Sequence, residues 1–354
     1  MEQRNDVSTL LNMMVQPGFL VEDNRITLLN PAASQLFISP GTDVRDLLAT
    51  GREEYAGFSD GCLYLQLDLG GTPRGASVQA IAEGHVFLLE PETQQQELLC
   101  YALASQCLRS PMSNVMIAAE QLTRTAGERD DPALLRQLGQ LNRGVHQMLR
   151  LVNNMSDALL YTDISQQELR NIPAVFEEIF DKAQTLLEQA GIRLTYQGLR
   201  EELCGMADSQ QLERAVLNLL DNAVRFSPAG GTVSAALTRR GGLLCLHITD
   251  SGEGIPASVL PGIFHRYLRQ PGIEDGRYGL GLGMALVRTA AVNHGGTVLI
   301  DRSGKGTRIT MTVALRQDPN CLLRSPVMQL DYAGGLDHQM VELSQVLPAS
   351  MYES

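Results

Sequence analysis

Two asparagines stand one helical turn apart in the segment from Arg214 to Ser227, where apolar residues recur with the spacing of an amphipathic helix. Asn218 and Asn222 therefore share one face of the predicted helix. A carboxamide oxygen can ligate a hard cation such as Mg²⁺, which usually takes one or two protein ligands together with nucleotide phosphates. Arg225, one turn beyond Asn222, would face the same anion. From this helix alone, a nucleotide site and an ordinary polar stripe remain equally open.

Two glycine-rich segments follow downstream. In the first, Leu246 to Pro256, a short apolar strand pattern runs into Asp250, Gly252 and Gly254. A carboxylate at a strand end can accept a hydrogen bond from an exocyclic amine, while the glycines let the backbone approach a flat ring. The second, Gly279 to Val287, opens into a helical pattern and frees backbone N–H groups to cradle phosphates. Each segment alone is typical of a turn, but the three in this order favour a nucleotide site.

The order of these segments resembles the histidine-kinase-type Bergerat ATPases. The resemblance covers about Val175 to Leu315 and implies an α/β sandwich that binds ATP·Mg²⁺. The matching segments are NLLDNA at 218–223 (N box), DSGEGIP at 250–256 and GLGLGMALV at 279–287 (glycine boxes), FHRYLR at 264–269 (F box), and HGGT at 294–297 with GKGT at 304–307 (closing hairpin).

The resemblance also implies roles for individual residues. It makes Asn222 the Mg²⁺ ligand and Asp250 the adenine-binding residue, with Asn218, Arg225, Arg266 and Arg269 lining the phosphates. The hydrolytic branches of the superfamily carry a water-activating glutamate one turn before the metal asparagine, and this chain has Asn218 there. The full set of implied nucleotide-binding residues is Asn218, Asn222, Arg225, Phe226, Asp250, Gly252, Gly254, Arg266, Arg269, Gly279, Gly281, Leu282, Gly283 and Thr307.

Composition limits the remaining possibilities. A chain of 354 residues predicts two or three domains, and a net charge of −12 argues against nucleic acid or an anionic membrane as the main partner. No stretch reaches the ~18 apolar residues of a membrane span, and the N-terminus lacks a signal-peptide pattern. The six cysteines show no close pairing, which favours reduced thiols over a zinc site. We therefore expect a cytoplasmic protein.

Residues 1–91 predict a small α+β domain, because short strand patterns alternate with turns after an initial helix. The order GFLVEDNRITLLNPAASQLF, residues 18–37, resembles the start of a PAS sensor domain. The resemblance leaves two alternatives open: a domain that encloses a small molecule, or a signal-relaying module with a filled core.

Residues 92–165 predict two heptad helices, with a turn near Gly127 and Pro132 at the start of the second helix. One hairpin cannot cover its own apolar seam, so two hairpins are expected to pair as a homodimeric four-helix bundle. The seam positions are Leu98, Tyr101, Ser105, Leu108, Met112, Val115, Ala119 and Leu122 on the first helix, and Leu134, Leu138, Leu141, Val145, Met148, Val152, Met155 and Leu159 on the second.

This hairpin resembles the dimerisation and phosphotransfer domain of sensor histidine kinases, with one departure. The family carries Ser-His-Glu-Leu-Arg-Thr-Pro-Leu, where the histidine accepts phosphate and the adjacent acid is its base. Gln106 and Cys107 replace that pair, and a glutamine amide is not a nucleophile. Ser110 keeps a hydroxyl nearby. His146, expected on the exposed flank of the second helix, is an alternative acceptor.

The overall prediction is an α+β multidomain protein. Residues 166–316 form the ATP-binding domain, and residues 317–354 form a tail whose short helix docks on that domain or on the dimer mate. Two classes of function remain. One is a histidine-kinase-like enzyme, which would need an unusual acceptor such as His146. The other is a pseudokinase whose nucleotide state sets the hairpin geometry for a response-regulator-like or other partner.

Overall fold

The computed structural model describes most of the chain and confirms an α+β architecture. Among the described residues, no helix combines the length and the apolar character that crossing a membrane requires. The described ranges are 2–36, 38–90, 95–129, 131–160, 167–256, 259–264, 281–301, 306–315 and 336–353.

One ten-stranded sheet runs through the N-terminal region and the predicted ATP-binding region (residues 166–316, called the ATPase region below), in the order β2-β1-β5-β4-β3-β11-β12-β10-β9-β7. Neighbouring strands are antiparallel except β7 and β9, which are parallel. Strands β6 and β8 form a separate pair. The bounds are β1 (Gly18–Glu22), β2 (Arg25–Leu29), β3 (Cys62–Leu69), β4 (Thr72–Ile81), β5 (Gly84–Leu89), β6 (Glu168–Asn171), β7 (Arg193–Gln197), β8 (Cys204–Ala207), β9 (Thr232–Arg240), β10 (Leu243–Thr249), β11 (Val298–Asp301) and β12 (Arg308–Ala314).

The N-terminal half of the sheet has its own apolar core. Phe19 and Phe87 stack at its centre, with ring centroids 4.8 Å apart. Asn30 is fully buried and satisfied: its Oδ1 accepts from the backbone of Gly18 and Ala33, and its Nδ2 donates to the carbonyl of Gln16. The helices here are α1 (Glu2–Met13), α2 (Val44–Leu47) and α3 (Arg52–Ala56). Assignment of this region as PAS-like stays a prediction.

Helices α4 (Gln95–Glu128) and α5 (Pro132–Leu160) form the hairpin. Asp131 begins the second helix, because its Oδ1 accepts from the backbone N–H groups of Ala133 and Leu134. Only part of the heptad pattern is buried within one hairpin: the covered positions are Ser105, Met112, Ala119, Leu138, Val145 and Val152. Leu108, Val115, Leu122, Leu134, Leu141 and Met148 are exposed.

The ATPase region places three helices against its sheet: α6 (Ile172–Gln189), α7 (Ser209–Phe226) and α8 (Gly283–Asn293). Asp208 caps α7 by accepting from the backbone N–H groups of Gln210 and Gln211, and His294 accepts from the Asp208 N–H. Cys204 forms a disulfide, so the expectation of reduced thiols is wrong at this position. Spacing along the chain does not reveal which cysteines the fold brings together.

The two halves of the sheet join where β3 pairs with β11. The registered partners are Cys62 with Ile300, Leu63 with Leu299, and Tyr64 with Val298. A second contact connects the halves nearby. Arg288 on α8 forms an ion pair with Glu90 and lies over the Tyr64 ring, 5.0 Å from its centroid.

Residues 336–353, called the strap below, contain α9 (His338–Glu342) and a 3-10 turn at Ala349–Tyr352. Asp337 caps α9, as the sequence suggested. Leu343 and Leu347 are fully buried in the ATPase core, whereas Val341 packs with residues of the hairpin. The strap therefore lies between the ATPase helices and the hairpin of the same chain.

Candidate functional site

Asp250 follows directly after β10 and is 9% exposed. Its Oδ1 accepts from the backbone N–H groups of Gly252 (2.8 Å) and Thr307 (3.2 Å), which fix the carboxylate at the strand end. Burial raises the pKa of the Asp250 carboxyl, while these hydrogen bonds oppose the rise. The result is a positioned carboxylate that can accept from an amine.

Glycines let the chain fold tightly around Asp250. A Cβ at Gly252 would overlap the carbonyl oxygen of Phe226, and a Cβ at Gly306 would overlap the carbonyl of Asp250 itself. Gly306 and Gly254 also have positive φ angles of +89° and +83°, which L side chains rarely adopt. These glycines thus let neighbouring backbone pack directly against Asp250.

The N-terminus of α8 approaches α7. Leu282 is the N-cap residue of α8, and a Cβ at Gly283 would lie 3.0 Å from the Asn218 Oδ1. Gly281, just before the cap, has a φ of +71°. The first backbone N–H groups of α8 lack partners within the helix, so an anion can bind between this end and α7.

The two asparagines of α7 have different surroundings. Asn218 is 1% exposed, and its Nδ2 donates to the carbonyl of Arg214 at 2.9 Å. Asn222 is half-buried, and its side chain makes no hydrogen bond with any described residue. Asn222 is therefore the asparagine whose amide oxygen is available to a cation.

A charged cluster lies on the face of α7 that bears Asn218. Arg150 of α5 donates to the Asn218 Oδ1 (3.2 Å), pairs with Asp221 (3.0 Å) and pairs with Glu342 of α9 (3.3 Å). Glu342 also binds Arg214, with Nε and Oε1 3.2 Å apart. Burial acts to lower the pKa of Arg150, but Asp221 and Glu342 outweigh it and raise that pKa. Three distant segments thus meet beside Asn218.

Arg225, predicted to line the phosphates, pairs with Asp221 in the structure. Burial lowers the pKa of Arg225, and the charge of Asp221 opposes that effect. Phe226 ends α7 and is half-buried, and Thr307 is buried beside Asp250. Arg266, Arg269 and Gly279, the remaining predicted residues, lie outside the described residues.

Sequence reasoning missed four charged members of this cluster: Arg150, Arg214, Asp221 and Glu342. Two of them left a signal, because Arg214 and Asp221 share the i, i+4, i+7, i+11 stripe with Asn218 and Arg225. Glu342 also interrupts an apolar run between Val341 and Leu343. Nothing in the sequence connects Arg150 or Glu342 to this stripe.

The hairpin positions of interest lie on its outer surface or under the strap. Gln106, Cys107 and Ser110 are exposed. His146 was expected on an exposed flank, and this is wrong because Tyr352 of the strap covers it, with ring centroids 4.8 Å apart. The His146 Nδ1 donates to the carbonyl of Asn142 (2.8 Å), and burial lowers its pKa.

Comparison with known families locates one domain. Residues 207–317 match the model described as "Histidine kinase-, DNA gyrase B-, and HSP90-like ATPase". This range contains Asn222, Asp250 and the N-terminus of α8. The match therefore coincides with the geometry around the predicted site.

Individual sensor kinases resemble this chain over more than half of its length. Sensor histidine kinase CusS of Escherichia coli (strain K12) is 28% identical over 212 residues, 58% of this chain and 43% of that protein. Sensor protein QseC of Salmonella typhi is 31% identical over 216 residues, 57% of this chain and 44% of that protein. Among solved structures, mycobacterial sensor histidine kinase MprB is 30% identical, with a TM-score of 0.35 over 42% of this chain and 98% of that chain. The chain spans less than half the length of these curated relatives.

Proposed function

Because this chain belongs to the histidine-kinase family, we propose that it binds ATP with Mg²⁺ between α7, the end of β10 and the N-terminus of α8. Asp250 accepts from the adenine amine, and Asn222 ligates the cation. The N–H groups at the start of α8 receive phosphate oxygens. When bound, Mg²⁺ neutralises phosphate charge.

The observation that supports this proposal best is that the Asp250 carboxylate is held in place while the Asn222 side chain has no hydrogen-bond partner among the described residues. Asp250 is fixed by two backbone donors, and Asn222 has no hydrogen-bond partner among the described residues. These groups fit a purine and a hydrated divalent cation, respectively, because a purine offers an amine to a carboxylate and Mg²⁺ prefers oxygen ligands.

Isothermal titration of the full chain with ATP, in the presence and absence of Mg²⁺, tests this assignment. Asn222→Ala should weaken binding only when Mg²⁺ is present, whereas Asp250→Ala should weaken it in both conditions. Each loss should be about 1–3 kcal/mol, as for other buried polar partners. Wild-type affinity in both variants would remove the proposed site.

We propose further that ATP binding serves a conformational role and that the hairpin does not accept phosphate at the family position. Gln106 is exposed but offers no nucleophile, and neither Gln106 nor Cys107 supplies a general base. His146 is a poor alternative acceptor, since the Tyr352 ring packs edge-on against its imidazole, with ring centroids 4.8 Å apart.

Labelled ATP followed by assay of acid-labile phosphoprotein distinguishes this role from kinase activity. We expect no label on wild type, slow labelling of Gln106→His, and faster labelling of Gln106→His with Cys107→Glu. The added base should be worth about 10²–10⁴-fold, as general-base catalysis usually is. Label on wild type that disappears in His146→Ala would show an unconventional kinase instead.

A parallel homodimer is part of the same proposal. Apolar side chains remain exposed along both hairpin helices, among them Val115, Leu122, Leu141 and Met148, each 45–53% exposed. A second hairpin would cover this stripe and complete a four-helix bundle. Sedimentation of Leu141→Asp with Met148→Asp should give monomers, while Glu120→Gln, an exposed change on α4, should leave the dimer intact. A monomeric wild type at micromolar concentration contradicts the bundle.

The remaining assignments extend this proposal. Residues 1–91 act as a PAS-like input module, residues 92–165 as the dimerising hairpin, residues 166–316 as the ATP-binding domain and residues 317–354 as the tail. We also propose a cytoplasmic location and a response-regulator-like partner, the partner because the similar proteins are sensor kinases. Co-sedimentation of the purified protein with a receiver domain, with and without ATP, tests the partner.

A further inference from the structure

The strap contacts both the hairpin and the ATPase region through apolar side chains. Val341 is fully buried and packs with Met112, Leu149 and Val152 of the hairpin. Two residues later, Leu343 is fully buried in the ATPase core. Because opposite sides of one short segment enter two different cores, the strap holds the hairpin and the ATPase region together.

Polar side chains of α5 fasten the strap backbone. Arg143 donates to the carbonyls of Ser344 (3.0 Å) and Gln345 (2.8 Å), and Asn142 donates to the carbonyl of Tyr352 (3.0 Å). Each bond satisfies a carbonyl that the short helical elements of the strap leave without a backbone partner. The strap is therefore bound to a specific face of α5.

Glu342 forms the innermost contact of the strap. Its carboxylate is 0% exposed and bridges Arg150 of α5 with Arg214 of α7. Together with Arg225 and Asp221, the cluster contains three arginines and two carboxylates. Without Glu342, three buried cations would share one carboxylate, and buried charge without a partner strongly opposes packing. Docking of α5 on α7 therefore depends on the strap.

The geometry points to the strap as an intramolecular coupling element, in which Glu342 holds Arg150 on Asn218 and so makes nucleotide affinity depend on hairpin docking. This inference rests on the proposed ATP binding. Arg150 is a positioning residue: it hydrogen-bonds the Asn218 Oδ1, which lies beside the α8 N-terminus, and thereby orients the amide. Release of the strap removes this hydrogen bond and leaves only the one from the Asn218 Nδ2 to the Arg214 carbonyl, and nucleotide binding in turn favours the docked strap.

Hydrogen exchange on the full chain without nucleotide tests docking. Glu342→Gln and Arg143→Gln should both increase exchange in residues 139–153 and 338–347. Arg143→Gln removes the outer contacts without leaving a charge in the cluster, so it reports docking even if Glu342→Gln unfolds. Arg136→Gln, on the exposed face of α5, and Glu353→Gln, in the strap but outside the described ion pairs, are the matched controls. If both test variants exchange at the wild-type rate, the inference that these contacts dock the strap is wrong.

ATP titration of the same variants tests the coupling. Both test variants should bind ATP about tenfold more weakly than wild type, in the range found for coupled neighbouring residues, and both controls should bind normally. Faster exchange with unchanged or tighter ATP binding would overturn the coupling, because docking would then not orient the nucleotide site. Absence of ATP binding by wild type would overturn the proposed function and the coupling together. The exchange result would still show whether the strap docks on the hairpin.

Discussion

The surroundings of Asp250 and those of Asn218 on α7 consist of different chemical groups. Around Asp250, backbone N–H groups and glycines surround a single carboxylate. Around Asn218, three arginines and two carboxylates from α5, α7 and α9 meet in a buried cluster. The first neighbourhood needs only the ATPase region, whereas the second exists only while hairpin and strap are docked. One end of the site can thus recognise a ligand, and the other end can report domain position.

The largest expected effect breaks the charged neighbourhood. Arg150→Met leaves Asp221 and Glu342 each without one buried partner. The free energy of unfolding should fall by about 3–5 kcal/mol, the usual cost of removing one member of a buried ion pair. Chemical denaturation measures it. Arg136→Met, an exposed change on the same helix, should cost less than about 0.5 kcal/mol, as surface substitutions do.

Breaking the backbone-lined neighbourhood should affect the ligand instead of the fold. Asp250→Asn keeps an oxygen for Gly252 and Thr307 but replaces the ionised carboxylate that we propose accepts from adenine. ATP affinity should fall by about 1.5–3 kcal/mol, the value of a hydrogen bond to a charged group.

The stability of the Asp250→Asn variant should rise, although its ATP affinity falls. Because burial raises the folded-state pKa of Asp250, ionisation above the unfolded pKa costs stability, and an uncharged amide avoids that cost. Asp68→Asn, an exposed carboxylate that also accepts a turn N–H, is the control for thermal unfolding. A lower melting temperature for Asp250→Asn than for Asp68→Asn would contradict this account.

A glycine pair sharpens the comparison further. Gly306 and Gly71 have nearly equal φ angles of +89° and +88°, but only Gly306 closely approaches another backbone group, the Asp250 carbonyl. Gly306→Ala should therefore destabilise the fold by about 1–3 kcal/mol more than Gly71→Ala, the usual cost of overpacking. Equal melting temperatures in the two variants would show that the contact does not constrain Asp250.

The smallest expected effect concerns the pH dependence of strap docking. Burial lowers the folded-state pKa of His146 below its usual 6.5, so protonation favours the released ring. Strap docking is thus strongest above pH 6.5 and weakens as the pH falls through the folded pKa. The His146→Gln variant should lose this pH dependence, because a glutamine side chain does not titrate. Hydrogen exchange of residues 338–347 at several pH values measures the difference from wild type.

Sequence reasoning succeeded where the chemistry is local. Asp250, Gly252 and Gly254 lie within five residues, so their spacing alone predicts a carboxylate with backbone packed close to it, and the family assignment is confirmed. The heptads likewise predicted two long helices. Which residue binds adenine or Mg²⁺ stays a prediction.

It failed where tertiary structure brings distant residues together. Arg150 and Glu342 are separated by most of the ATPase region, and no periodic pattern relates a residue of α5 to one of α9. The cover over His146 was missed for the same reason, because Tyr352 reaches it only after the strap docks. Side-chain partners of this kind depend on packing that local propensity does not encode.

The pairing of β3 with β11 has a consequence for biosynthesis. Strand β3 leaves the ribosome long before β11, because the hairpin and most of the ATPase region lie between them in the chain. Until residues 298–301 are made, the β3 edge presents unpaired N–H and C=O groups. A nascent chain that stalls before this point therefore exposes a strand edge to which another polypeptide can add.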